Sequence, residues 1–303
     1  MRIGLSGGAA SADKMIDQAV RAEAEGFHAL WYASAVGGDP LVAMALAGRA
    51  TTRIELGTSV LQTFTCHPVL QASRVASVVE AMARPGFTLG IGPSHEPVIA
   101  GAYGMDNSHA GRNTDEYVQI VTALLRGEAV DFKGEDLTLR GGMRIAKPAH
   151  DVPVLVAALA PRLLRVAGAV ADGTILWMGN ARSIERHVHP LLSTAATDAG
   201  RPAPRIVAGL PVAVHDDVAE GRSTAATQFA GYGVLPNYRR ILDHGGAAGP
   251  GDAAIVGNEA SVAAQLQALL DAGATDLWAA IFPVGDDKAG SRNRTRALLA
   301  SLV

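Results

Sequence analysis

His95 follows the run Gly90-Ile91-Gly92-Pro93-Ser94, where an apolar segment ends, and Glu96 stands beside it. An imidazole titrates near pH 6.5, so at neutral pH it can give or take a proton in either form. Glu96 can orient that ring or simply face solvent. A second histidine lies in His67-Pro68, after the polar stretch Gln62, Thr63 and Thr65. Proline suits the first turn of a helix, so His67 is expected to cap or support that helix start. His187 and His189 stand two apart on a predicted helix and point in different directions, which argues against a metal pair. No metal site is expected. Gly4-Leu5-Ser6-Gly7-Gly8 and Gly90-Ile91-Gly92 both fall short of the dinucleotide fingerprint, and no phosphate-loop, zinc-protease or nucleophile-elbow motif is present.

Such groups need a scaffold, and composition bounds it. The chain has 303 residues, 49% hydrophobic and 18% charged, with net charge −3 and a pI near 6.3. That balance carries no electrostatic footprint for nucleic acid or an acidic membrane surface. No apolar run approaches the ~20 residues of a membrane span. MRIGLSG enters a strand at once, and Cys66 is the single cysteine, so a cytoplasmic protein without an internal disulfide is expected.

Short apolar strands alternate with helical patterns along nearly the whole sequence. Strands are predicted over 3–6, 28–32, 54–60, 87–91, 154–158, 174–177, 205–214 and 276–282. Helices follow Ser11, Asp39, His67 and Pro161, among others, with Ser11 and Asp39 as natural caps. A small hairpin is expected over 130–139. Continuous β-branched strands that each lead into a helix imply a parallel sheet buried on both faces. Eight such units in this length predict one (β/α)8 barrel domain over 1–303, with insertions after strands. The Gly- and Ala-rich segment 245–252 is read as a long loop at the mouth or at a subunit contact. Chemistry in such a barrel belongs on the loops after the strands, here 33–38, 58–67, 92–111, 159–160 and 178–182.

The segments A-E-G-F-H-A-L-W, T-x-R-I-x-L-G-T-S-V, C-H-P, R-P-G-F-T-L-G-I-G and V-P-V-L-V-A-A-L-A-P occur in that order. With A-D-G-T-I-L-W they resemble the luciferase-like superfamily of flavin and deazaflavin enzymes across essentially the whole chain. G-I-G-P-S-H, A-L-A-P-R-L-L-R-V-A-G, A-G-L-P-V-A-V and L-P-N-Y-R are similar to its subfamily assigned to coenzyme F420, a deazaflavin. The resemblance implies a bulge at the end of the third strand. Its Ser59–Val60 bond would be a non-prolyl cis peptide supporting the ring, with Thr58, Gly92 and Ser34 nearby. It also implies a phosphate site at Ala157, Ala158, Leu159 and Ala160, where the next helix opens, and a further rim at Trp177, Met178, Gly179 and Asn180. Some relatives use a lysine where Asn180 stands; Arg162 or Arg182 would have to compensate. Many members place an acid and a histidine where this sequence has Ser34 and Ala35, so proton handling passes to His95. The implied activity is hydride exchange between F420 and a small organic substrate, in a homodimer. The alternatives are an FMN-dependent monooxygenase and a flavin-binding protein without turnover.

Overall fold

The computed structural model describes residues 1–8, 11–33 and 39–303. The first half of the chain runs β1 (Ile3–Gly7), α1 (Ala12–Ala24), β2 (Ala29–Tyr32), α2 (Pro40–Ala50), β3 (Glu55–Thr58), β4 (Leu61–Gln62), α3 (Pro68–Met82) and β5 (Phe87–Gly92). A π-helical turn at Pro97–Ala102 follows, then α4 (Ala110–Leu125), the hairpin β6 (Val130–Lys133) and β7 (Thr138–Met143), and β8 (Val154–Val156). Next come α5 (Pro161–Ala169), β9 (Gly173–Trp177), α6 (Ala181–Ser183), α7 (His189–Asp198) and β10 (Arg205–Val214). Four helices then stack up before the next strand: α8 (Val218–Gln228), α9 (Ala230–Val234), α10 (Pro236–His244) and α11 (Pro250–Ala253). The chain ends with β11 (Ile255–Gly257), α12 (Glu259–Asp271), β12 (Asp276–Ile281) and α13 (Lys288–Ser301).

Strand pairing runs β10-β12-β1-β2-β3-β5-β8-β9, and β9 pairs with β10, which closes an eight-stranded parallel barrel. The predicted (β/α)8 architecture is therefore present, and its hairpin insertion is the antiparallel pair β6–β7. The barrel strands are almost wholly buried because each packs inward on its neighbours and outward on a helix. Ala29, Trp31, Leu155, Ile175 and Val207 fill the interior, whereas the larger core lies between sheet and helices. Ser11, Asp39 and His67 each accept a backbone N–H in the first turn of α1, α2 and α3, so these starts are set by local sequence.

Two readings change. The segment 245–252 is not a long loop: α10 runs to His244 and α11 begins at Pro250. Small residues there serve helix contacts; a Cβ on Gly251 would stand 2.6 Å from the Arg222 carbonyl. The third strand, expected over 54–60, ends already at Thr58; the bulge expected at Ser59–Val60 is present and leads into the short β4.

The amino-terminal end of the barrel is sealed by charge. Arg205 pairs with Glu55 at 3.0 Å and with Asp276 at 2.8 Å, and Arg2 pairs with the same two carboxylates. Thr88 donates to Glu55 at 2.5 Å and Thr275 to Asp276 at 2.6 Å. Burial opposes ionisation of Asp276, but hydrogen bonding and the charge of Arg205 outweigh it and hold the carboxyl below its ordinary value.

Candidate active site

The carboxyl ends of the strands enclose a cavity of about 460 Å³. Its floor is made where β3 gives way to β4. Thr58 Oγ1 donates to the Gly90 carbonyl at 2.7 Å and accepts from the Gly90 N–H at 2.8 Å, locking β3 to β5. Only glycine fits there, since a Cβ on Gly90 would stand 1.9 Å from the Thr58 oxygen. Ser59 N–H then donates to the Tyr32 carbonyl, the Ser59–Val60 peptide bond is cis, and the chain rejoins β5 at Leu61–Gln62. This detour turns both Ser59 and Val60 toward the cavity.

The β8 end supplies the next wall. Ala157, Leu159 and Ala160 line the cavity just before Pro161 opens α5. Gly92 is required beside them: a Cβ there would lie 2.7 Å from that of Ala157. The Leu159 carbonyl is held by His187 Nε2 at 2.9 Å, and His187 stacks on His244 of α10 with ring centres 3.9 Å apart. Trp177 closes the β9 side.

His95 reaches the cavity from the β5 loop. Ser94 takes a left-handed conformation (φ 62°), and the His95 carbonyl then accepts from Val98 and Ile99 N–H as the π-helical turn begins. The imidazole packs on the Tyr238 ring, with centroids 5.4 Å apart. Burial pulls its pKa below the ordinary histidine value, so at pH 7 the ring is mostly neutral and can accept a proton. Glu96 is exposed.

Of the residues predicted for the site, Ser59, Val60, His95, Ala157, Leu159, Ala160 and Trp177 meet around this one cavity. Others stand behind its wall. Thr58 is consumed by Gly90, and Ala158 and Met178 are core residues. Gly92 and Gly179 are places of close packing. Asn180 caps α6 by accepting from Ser183 N–H at 3.0 Å and donates to the Gly245 carbonyl at 3.1 Å, so its amide faces no ligand. Ser34 lies outside the described residues. Arg162 pairs with Asp115 at 3.1 Å. His67 accepts from Val69 N–H and borders a separate cavity with Phe64 and Cys66.

Sequence reasoning assigns the roof only in part: it leaves Tyr238, Arg239 and Arg240 open to either the mouth or a dimer contact and does not assign Phe229 and Tyr232. Tyr238 lies at the mouth. Phe229, Tyr232 and Tyr238, from the end of α8 through α10, line the cavity together with Trp278 of β12. The available signal was L-P-N-Y-R, in which Tyr238 stands two residues after the helix-opening Pro236.

Two buried polar atoms on the cavity wall, Ser59 Oγ and Trp177 Nε1, have no hydrogen-bond partner among the described residues. Such groups are costly unless something bonds them. Between them the wall is apolar. Donor, hydroxyl and flat apolar surface suit a planar ring with polar atoms on its rim, as a deazaflavin or flavin presents.

Fold and site thus define a (β/α)8 barrel protein with a largely apolar cavity at the strand ends. The chain belongs to the luciferase-like monooxygenase family, whose model matches residues 1–298. It is 27% identical over 306 residues to the 5,10-methylenetetrahydromethanopterin reductase of Methanolobus tindarius, covering 91% of this chain and 92% of that one. It is 29% identical over 230 residues to an F420-dependent glucose-6-phosphate dehydrogenase of Nakamurella multipartita, covering 71% and 67%. Among solved structures it resembles the coenzyme F420-dependent tetrahydromethanopterin reductase of Methanopyrus kandleri, with TM-score 0.79, 20% identity and coverage of 100% and 98%.

Proposed function

We propose that this protein is an F420-dependent oxidoreductase that exchanges hydride with a small organic substrate at the barrel mouth. The observation that carries the reading is the apolar cavity at the strand ends, lined by Val60, Trp177 and His95, whose wall side chains include two unpartnered polar atoms, Ser59 Oγ and Trp177 Nε1. An F420-dependent relative matched along 71% of the chain, and a reductase matched along 91%, support it.

When bound, the deazaflavin supplies a carbon that takes or gives a hydride. The residues of this chain do the rest. Val60 and its neighbouring backbone would support one face of the ring, Ser59 and Trp177 would offer polar atoms to its edge, and the backbone N–H groups of Arg162 and Leu163 in the first turn of α5 would serve the phosphate. His95, neutral at pH 7, takes the proton from a substrate hydroxyl, or returns one in the opposite direction. The apolar wall excludes water from the reacting centre.

We read the whole chain as one catalytic domain working in the cytoplasm as a homodimer. Val42 and Leu46 on α2 and Leu70 on the adjacent α3 are exposed, an apolar surface that a second copy would cover. Light scattering on the purified protein reports the dimer directly. For the cofactor, the test is fluorescence titration of apo-protein with F420 and with FMN. F420 should bind the more tightly. Tighter binding of FMN would replace this reading by an oxygen-activating monooxygenase, and binding of neither would remove the oxidoreductase.

A further inference from the structure

The cavity wall contains no Asp, Glu, Lys or Arg among the described residues. The neighbouring segment 34–38 is Ser-Ala-Val-Gly-Gly and adds no charge by sequence. Of the arginines near the roof, Arg239 bonds Asp243 and the carbonyls of Ala247 and Ala248, and Arg240 is not part of the wall but bonds the wall residue Asn237 at 3.4 Å. Beyond the single helix start of α5, which the cofactor phosphate would occupy, a phosphorylated substrate in a desolvated site calls for guanidinium or ammonium partners. This wall has none to give. What it gives instead is aromatic. Tyr232 stands edge-on to Trp177 (centroids 5.9 Å, 66°) and to Tyr238 (4.8 Å, 75°), and Tyr238 in turn packs on His95. Edge-on and tilted arrangements leave ring faces and edges free to receive a further ring.

We propose that the substrate is an uncharged, ring-bearing carbonyl compound or its alcohol, held by the aromatic roof of α9 and α10, with Tyr238 as the residue that selects it. This rests on the oxidoreductase reading and narrows it: the sugar phosphate named for one relative is excluded. Tyr238 is placed for two tasks. Its ring covers the substrate ring, and its phenol, which burial pushes upward in pKa and keeps protonated, donates to the oxygen that His95 serves.

The test is isothermal calorimetry of the F420-loaded protein with 1-tetralone, a neutral bicyclic ketone, and with glucose 6-phosphate. Saturable binding of 1-tetralone and none of glucose 6-phosphate is expected. Tyr238→Ala should weaken 1-tetralone binding by ~10-fold or more, through loss of ring contact. Tyr238→Phe keeps the ring and the fold and should weaken it about fivefold through the lost hydrogen bond. Binding of glucose 6-phosphate at least as tight as that of 1-tetralone, no saturable heat with 1-tetralone, or unchanged affinity in both variants overturns the inference. Fluorescence polarisation of the deazaflavin is read in parallel. If F420 fails to bind while the ketone binds with the stated Tyr238 dependence, the cofactor reading falls and the substrate class stands.

Discussion

The two ends of the barrel use opposite materials. At the amino-terminal end, Arg2, Glu55, Arg205 and Asp276 form a paired network, and both carboxylates are more than nine-tenths buried. At the carboxyl end the cavity has no full charge on its described wall, and its polar atoms include two without partners. Saturated charge at one end fixes strands in place; unsaturated neutral polarity at the other waits for a ligand. Stability and chemistry should therefore come apart under mutation, in keeping with the division of labour between the two faces of such barrels.

The strongest break is expected at His95. His95→Ala should lower turnover by ~10²–10⁴-fold, the usual worth of a positioned acid or base, while leaving the melting temperature nearly unchanged. His95→Gln, which holds an oxygen without titrating, should recover little of it. Near-full turnover in both variants would assign the proton to solvent. Arg205→Ala should do the reverse. Stranding Glu55 and Asp276 with only Arg2 should cost roughly 3 kcal/mol in urea unfolding, with F420 affinity of the folded fraction unchanged. A small stability loss with weakened cofactor binding would show that the two ends are coupled.

Acid should separate the ends along one axis. The pKa of His95 lies below its ordinary value of 6.5, so alcohol oxidation should fall as pH drops through that depressed value. Asp276 is depressed from an ordinary 3.8, so its stabilisation is fully present above that value and is lost only as pH falls through the folded pKa. Activity should thus vanish well before the fold does; simultaneous loss would contradict the comparison. The smallest effects belong to the unpartnered atoms. Ser59→Ala and Trp177→Phe should each weaken F420 binding by about fivefold, the worth of one hydrogen bond, without destabilising the apo-protein. Equal affinity in both variants would mean that the ring lies elsewhere.

The barrel was legible because it is written locally. Ser11, Asp39 and Pro68 mark helix starts, and runs such as 205–214 can only be strands buried on both sides. The broken third strand was readable only through resemblance, since Thr58-Ser59-Val60 has no periodicity that distinguishes a bulge from a strand end. Other features arise from long-range closure. Glu55 and Arg205 are 150 residues apart and meet only when the barrel shuts. Asn180 looked like a ligand contact, but its amide was needed to cap α6 and hold Gly245. β11 escaped notice because its three residues follow an Ala- and Gly-rich run and gain their strand character from the far end of β10. Tyr238 could be suspected near the mouth, yet its contact with His95 depends on how α10 folds back over the cavity.

A mouth without charge also has a consequence for how fast it fills. Long-range attraction raises association rates only for ligands and sites that both carry charge, and it fades with added salt. A neutral substrate entering this cavity receives no such guidance. Its encounter rate should stay flat from low salt to high, limited by diffusion, and stopped-flow measurement across that range would trace a horizontal line. Expulsion from water would hold the substrate once it arrives, so sulfate and other salts that strengthen apolar burial should lengthen its residence without hastening its arrival.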